Sequence, residues 1–284
     1  MEGAGVRLRR AFGFGKTAEF DPFLLFDDFR SDRPADYIAG FPWHPHRGIE
    51  TITYVLAGTV AHGDSLGNKG SLGAGDVQWM TAGSGIMHQE MPKGDASGRM
   101  HGFQLWANLP ASLKMTKPRY QDIKAGEIPE VVEDDGTRAR VIVGEFWGKK
   151  GPVEGVAADP RYVDVSVPAG VRRTIPVERD RNVFAYVFAG SGRFRDASPP
   201  RQVLTEPAAS NGPAVYDSAG NRSLVLFDRG DEIVVQAGDE GIRFLLVSGK
   251  PHEEPVAWYG PIVMNTQKQL DQAMAELRAG TFIK

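Results

Sequence analysis

Three of the six histidines of the 284-residue chain fall into two short clusters, His44-Pro45-His46 and His88-Gln89-Glu90. In an extended strand alternate side chains share a face, so His44 and His46 look one way together, and so do His88 and Glu90. Three imidazoles and one carboxylate make a nitrogen and oxygen donor set without thiolate. Such a set suits iron(II), manganese, nickel, cobalt, copper or zinc rather than calcium. Four protein ligands on an octahedral ion leave two positions open, as a metal binding both a substrate and dioxygen requires. Taken singly, each pair also fits a surface dipeptide, a satisfied core group or an ordinary ion pair. The metal reading rests on the coincidence of both pairs within one domain-sized segment, whereas His62, His101 and His252 have no second histidine two residues away.

The elements that must position these residues read as strands. Thr51 to Leu56 is a β-branched and aromatic run, followed by the turn Ala57-Gly58 and a new run from Val60. That is the pattern of a hairpin. Asp76 to Met80 follows the glycine-rich turn at 73–75 and leads through Ala82-Gly83-Ser84-Gly85 to the second cluster. Upstream, Val6 to Phe12 alternates apolar and polar residues, which predicts an opening strand with its arginines on a solvated face. Phe23 to Phe29 predicts an apolar strand in which Asp27 or Asp28 either orients a ligand histidine or simply meets water. Gly102 to Pro110 predicts the strand that closes a first barrel. Phe41, Trp43 and Trp79 could line an apolar pocket for a flat aromatic ligand, or belong to barrel core.

A weak internal repeat sets the domain organisation. Tyr54-Val55-Leu56-Ala57-Gly58 returns as Tyr186-Val187-Phe188-Ala189-Gly190, Gly75-Asp76 as Gly230-Asp231, and Gly85-Ile86 as Gly241-Ile242. Two copies of one β-domain are expected, 1–125 and 126–284, joined within the Lys-, Pro- and Gly-rich stretch from Lys114 to Glu130. Laid over the first copy, the second places Pro176 and Glu178 at His44 and His46, and Phe244 and Leu246 at His88 and Glu90. One metal per chain is therefore expected. The second domain ends in a helix at about 266–279, with Thr266 and Gln269 as a capping box, an apolar stripe of Leu270, Ala273, Met274 and Leu277, and Gly280 as the stop.

Composition excludes several classes. Lys+Arg 33 against Asp+Glu 36 gives a net charge of −3, which offers no basic field for nucleic acid. The absence of cysteine removes disulfides and thiolate metal sites. Neither a signal core at the start nor an apolar window of membrane-spanning length is present, so a cytoplasmic protein is expected.

The motifs HPHRGIET at 44–51, GDVQWMTAG at 75–83 and GIMHQEMP at 85–92 strongly resemble the pirin family of the cupin superfamily, and the likeness runs from Phe23 to Asn265. The resemblance implies an all-β chain of two cupin barrels (double-stranded β-helix, jelly-roll-like) packed face to face. It also implies one mononuclear Fe(II) held by His44, His46, His88 and Glu90. Family members include quercetin 2,3-dioxygenases, which implies a flavonol and dioxygen as partners and Glu90 as the base that takes the flavonol's hydroxyl proton. Others are regulators of transcription or metabolism, which implies instead an iron redox sensor with a protein partner.

Overall fold

Strand-period sequence folds here into two compact units, as a computed structural model that describes residues 2–195, 198–203 and 218–284 shows. The first unit contains β1 (Arg9–Phe12), the start of a single helical turn α1 (Thr17–Phe20) whose Glu19 and Phe20 count with the second unit, β2 (Phe23–Asp28), β3 (Phe41–His46), β4 (Ile49–Ala57), β5 (Thr59–Asp64), β6 (Lys69–Leu72), β7 (Val77–Thr81), β8 (Ile86–Lys93), β9 (His101–Asn108) and β10 (Arg119–Ile123). These make two antiparallel sheets, ordered β1-β2-β9-β4-β7-β10 and β3-β8-β5-β6. Strand β4 is central and buried along nearly its whole length, which is why its sequence is β-branched and aromatic on both faces. The opening strand starts at Arg9 rather than Val6, and a bulge between Arg10 and Phe12 interrupts its alternation.

The second unit holds β11 (Glu130–Val132), β12 (Arg138–Val143), the short hairpin β13 (Glu145–Phe146) and β14 (Lys149–Lys150), β15 (Arg161–Val167), β16 (Arg172–Pro176), β17 (Asn182–Arg195), β18 (Arg201–Gln202), β19 (Ala219–Gly220), β20 (Ser223–Phe227) and β21 (Glu232–Gly249). Its two long strands each serve two ladders. The first part of β21 pairs with β16 and the second with β15, while β17 runs beside both parts.

By sequence, residues 126–284 form one domain. The structure instead returns 252–284 to the first unit, as β22 (Ala257–Tyr259), β23 (Ile262–Met264) and helix α2 (Gln267–Ala279). The reason is packing around the first histidine cluster. Val263 is buried with Leu24, Ile49, Met80 and Ile86 of the first unit, and the N–H of Val263 donates to the carbonyl of Arg47 at 3.1 Å. Arg47, 2% exposed, donates from Nη1 to Glu276 Oε2 and from Nη2 to the Phe282 carbonyl, both at 2.8 Å, and its guanidinium lies over the Phe282 ring. Gly48 is required where the tail crosses: at φ +76° it is in the left-handed region, and a Cβ there would lie 1.9 Å from the Val263 carbonyl oxygen. Helix α2 carries the expected capping box of Thr266 and Gln269 and stops at a left-handed Gly280. Lys114, read from sequence as the start of a linker, is buried. Its Nζ donates to the carbonyls of Gly48 and Val263 and to Asn108 Oδ1, at 2.8, 3.0 and 2.6 Å. Among the described residues no helix is long and apolar enough to cross a membrane.

Candidate metal centre

His44 on β3 stands directly opposite His88 on β8, so the two side chains share one rung and one face, and the period of two adds His46 to the same face. The ring centroids lie 4.3 Å (His44–His88), 4.8 Å (His44–His46) and 4.9 Å (His46–His88) apart. One nitrogen from each ring falls within 4.8 Å of the others, a group able to hold a metal ion.

Hydrogen bonding gives the group its polarity. His44 Nδ1 lies 2.9 Å from the Pro42 carbonyl, and His46 Nδ1 lies 3.2 Å from the Pro261 carbonyl. A carbonyl can only accept, so both Nδ1 atoms carry protons and both Nε2 atoms present lone pairs. Those two Nε2 atoms face each other at 3.0 Å. His88, 1% exposed, has neither ring nitrogen hydrogen-bonded. Leaving such a buried group unpaired costs about 1–3 kcal/mol. Burial, then the neighbouring imidazoles of His88 and His44, holds His46 neutral well below the usual histidine range, and burial with His44 and His62 does the same to His88. Converging lone pairs on neutral, dry imidazoles fit a divalent transition metal, and a cation satisfies the nitrogens that the protein leaves unpaired.

Glu90 stands outside the three-histidine group. Its carboxylate is 4% exposed and accepts from Thr53 Oγ1 (3.0 Å) and Gln104 Nε2 (2.9 Å). Gln104 cannot turn over, because its Oε1 accepts from the indole N–H of Trp106 at 3.1 Å while Glu90 needs a donor.

His44 and His46 open into a cavity of about 750 Å³ whose wall includes Phe14, Phe41, Trp106, Trp258 and Tyr259. Trp106 meets the His46 ring edge-on at 5.0 Å and Trp258 at 6.2 Å. Of the three aromatic residues named from sequence, Phe41 lines this cavity, whereas Trp43 is 52% exposed and Trp79 fully buried. Trp79 pairs with Ile52, so it points to the face of the sheet opposite Thr53 and the site. Neither sequence-named aspartate orients a ligand histidine; the carbonyls of Pro42 and Pro261 do. Asp28 binds Arg30. Asp27 lines the cavity, where Arg10 grips it from Nε and Nη2, both at 2.9 Å. Burial pushes the Asp27 carboxyl up to about 6 despite that arginine. Arg10, assigned from sequence to a solvated face, is thus turned toward the site by the β1 bulge.

Comparison with known families decides the kinship. The Pirin family profile matches residues 5–107, and that of the Pirin C-terminal cupin domain matches 162–283. The chain belongs to the pirin family. It is 43% identical over 282 residues to a pirin-like protein of Caulobacter vibrioides, covering 99% of this chain and 94% of that one. Human pirin is 37% identical, with 98% and 88% covered. A crystal structure titled quercetin 2,3-dioxygenase from Acinetobacter baumannii superposes with a TM-score of 0.85 at 30% identity, over 99% of this chain and 93% of that one. The fold is therefore that of a pirin with two cupin domains. Thr53, Gln104, Trp106 and Arg47 went unassigned from sequence, although period two on the strands beside each cluster points to the first three.

Proposed function

We propose that this pirin is a metal-dependent dioxygenase of the quercetin 2,3-dioxygenase type, acting on a flavonol. The observation that carries the reading is the three-histidine group, two of whose members, His44 and His46, line an aromatic-walled cavity of about 750 Å³, a size suited to a flat small molecule. His44, His46 and His88 would hold Fe(II), with Glu90 as fourth ligand. Bound iron supplies Lewis acidity toward the substrate oxygens and an electron source for dioxygen. The chain's own residues do the remainder. Trp106 and Trp258 provide an apolar wall against which the ligand packs and which excludes water from it. Glu90, on the same strand face as His88, takes the flavonol hydroxyl proton onto a carboxylate oxygen, and Thr53 and Gln104 hold it in place to do so. The quercetin dioxygenase from Acinetobacter supports this reading by its name and its similarity across the whole chain.

Oxygen consumption with quercetin tests it. Iron-loaded protein is expected to take up oxygen as quercetin disappears, with Glu90→Ala slowed by about 10²-fold or more and His88→Ala inactive. No uptake with any flavonol at full iron occupancy overturns the reading.

A further inference from the structure

Arg10, which is partly exposed, and the buried carboxylate of Asp27 form an ion pair on the wall of the same cavity as His44 and His46. Such a pair needs explanation, because burying a carboxylate is costly even when it is paired, and apolar residues often replace such pairs without loss. The second unit performs that replacement. Asp27 faces Gln104 on β9, and Arg10 faces Asp27. At the matching rungs Val163 faces Leu246 on β21, and Val141 faces Val163, all within the hydrophobic core. In both units the outer strand of these three, β1 or β12, carries its bulge directly after the residue concerned, Arg10 or Val141. The barrel therefore does not need the charges.

We propose that Arg10 and Asp27 are a specificity pair for a hydroxylated aromatic ring, a reading that rests on the flavonol substrate above. A carboxylate offers about four lone-pair sites, and Arg10 takes two. Arg10 Nη1 is engaged by Glu2 at 3.1 Å, so three of the arginine's five N–H groups face protein carboxylates and Asp27 keeps lone pairs to offer the cavity. A phenolic hydroxyl donates to Asp27 and is bound.

Two ligands separate the possibilities: 3-hydroxyflavone, with the metal-binding hydroxyl alone, and quercetin, which adds ring hydroxyls. Zinc-loaded protein under nitrogen removes turnover, and quenching of tryptophan fluorescence gives both dissociation constants. Quercetin is expected to bind the parent protein about tenfold more tightly than 3-hydroxyflavone, as one further hydrogen bond to a charged group implies. Arg10→Val/Asp27→Val, the residues of the sister barrel, should bring the ratio to about one by weakening quercetin alone. Asp27→Asn, nearly the same shape, should reduce the ratio too and guards against misfolding of the double variant, with far-UV circular dichroism as the check. Equal binding of the two ligands to the parent, or a ratio unchanged in both variants, overturns the pair while the flavonol reading stands. Failure of both ligands to bind the parent protein overturns both.

Discussion

The two barrels use the same ladders for opposite purposes. Val60 on β5 stands opposite Leu72 and Pro92, and Gly192 on β17 stands opposite Ala219 and Ala237. Counting back two and four residues from Pro92 and Ala237 matches Glu90 with Val235 and His88 with Ile233. His44, opposite His88, then matches Ile175, opposite Ile233, and His46 matches Val177. The shared bulge after Val55 and Val187 likewise matches Thr53 with Ala185 and Gln104 with Leu246. Every polar group of the first site thus has an apolar counterpart, and these counterparts form or pack against the core of the second unit. A cupin barrel can close on oil or on a polar three-histidine site, and that site is a replacement of core rather than an addition to the surface.

That comparison can be broken most severely by making the first barrel a copy of the second. His44→Ile, His46→Val, His88→Ile and Glu90→Val together should bring bound metal to background by elemental analysis. Stability in urea should stay within about 1.5 kcal/mol of the metal-free parent, since the swaps fill the site with apolar volume. Collapse of the fold would show that the histidines are structural. A smaller effect tests the tail. Arg47 follows His46 and matches Glu178, which bonds Arg161 at a partly exposed position. Arg47→Ala should cost about 3 kcal/mol and weaken metal binding, because a buried charge partner is lost, whereas Glu178→Ala should cost under about 1 kcal/mol. Equal costs would remove the distinction. The smallest effect concerns pH. With its folded value raised to about 6, Asp27 keeps a proton in the native state that the unfolded chain releases near pH 4. Native stability should therefore fall by about 2 kcal/mol between pH 4 and 6. The Arg10→Val/Asp27→Val protein should lack that part of the slope in parallel urea titrations; identical slopes would rule it out.

Much of this was legible in the chain itself. Period-two spacing put His44 and His46 on one face, the pairing of β3 with β8 brings His88 to it, and the repeat of Tyr54–Gly58 at Tyr186–Gly190 is in true register. The later matches were not. Pro176 and Glu178 are one residue from Ile175 and Val177, and Phe244 and Leu246 belong to the ladder of β9, not of β8. The cause is that β21 is a single 18-residue strand doing the work of two, so the turn that punctuates the first copy has no counterpart to align on. Trp79 was misplaced for a related reason: aromatic residues next to a site motif alternate between its face and the opposite one. The return of residues 252–284 to the first barrel left no local signal at all, since it depends on Arg47, Gly48 and Lys114 meeting carbonyls far along the chain.

The bond from His46 to the carbonyl of Pro261 spans 215 residues. On the ribosome, all three histidines emerge and can pair as strands long before that carbonyl is synthesised. A nascent first barrel thus carries His46 with its Nδ1 proton uncommitted, and either ring nitrogen can then meet a metal. Synthesis of Pro261 supplies the acceptor that fixes the tautomer, so the donor nitrogen of His46 is settled late in the life of the chain.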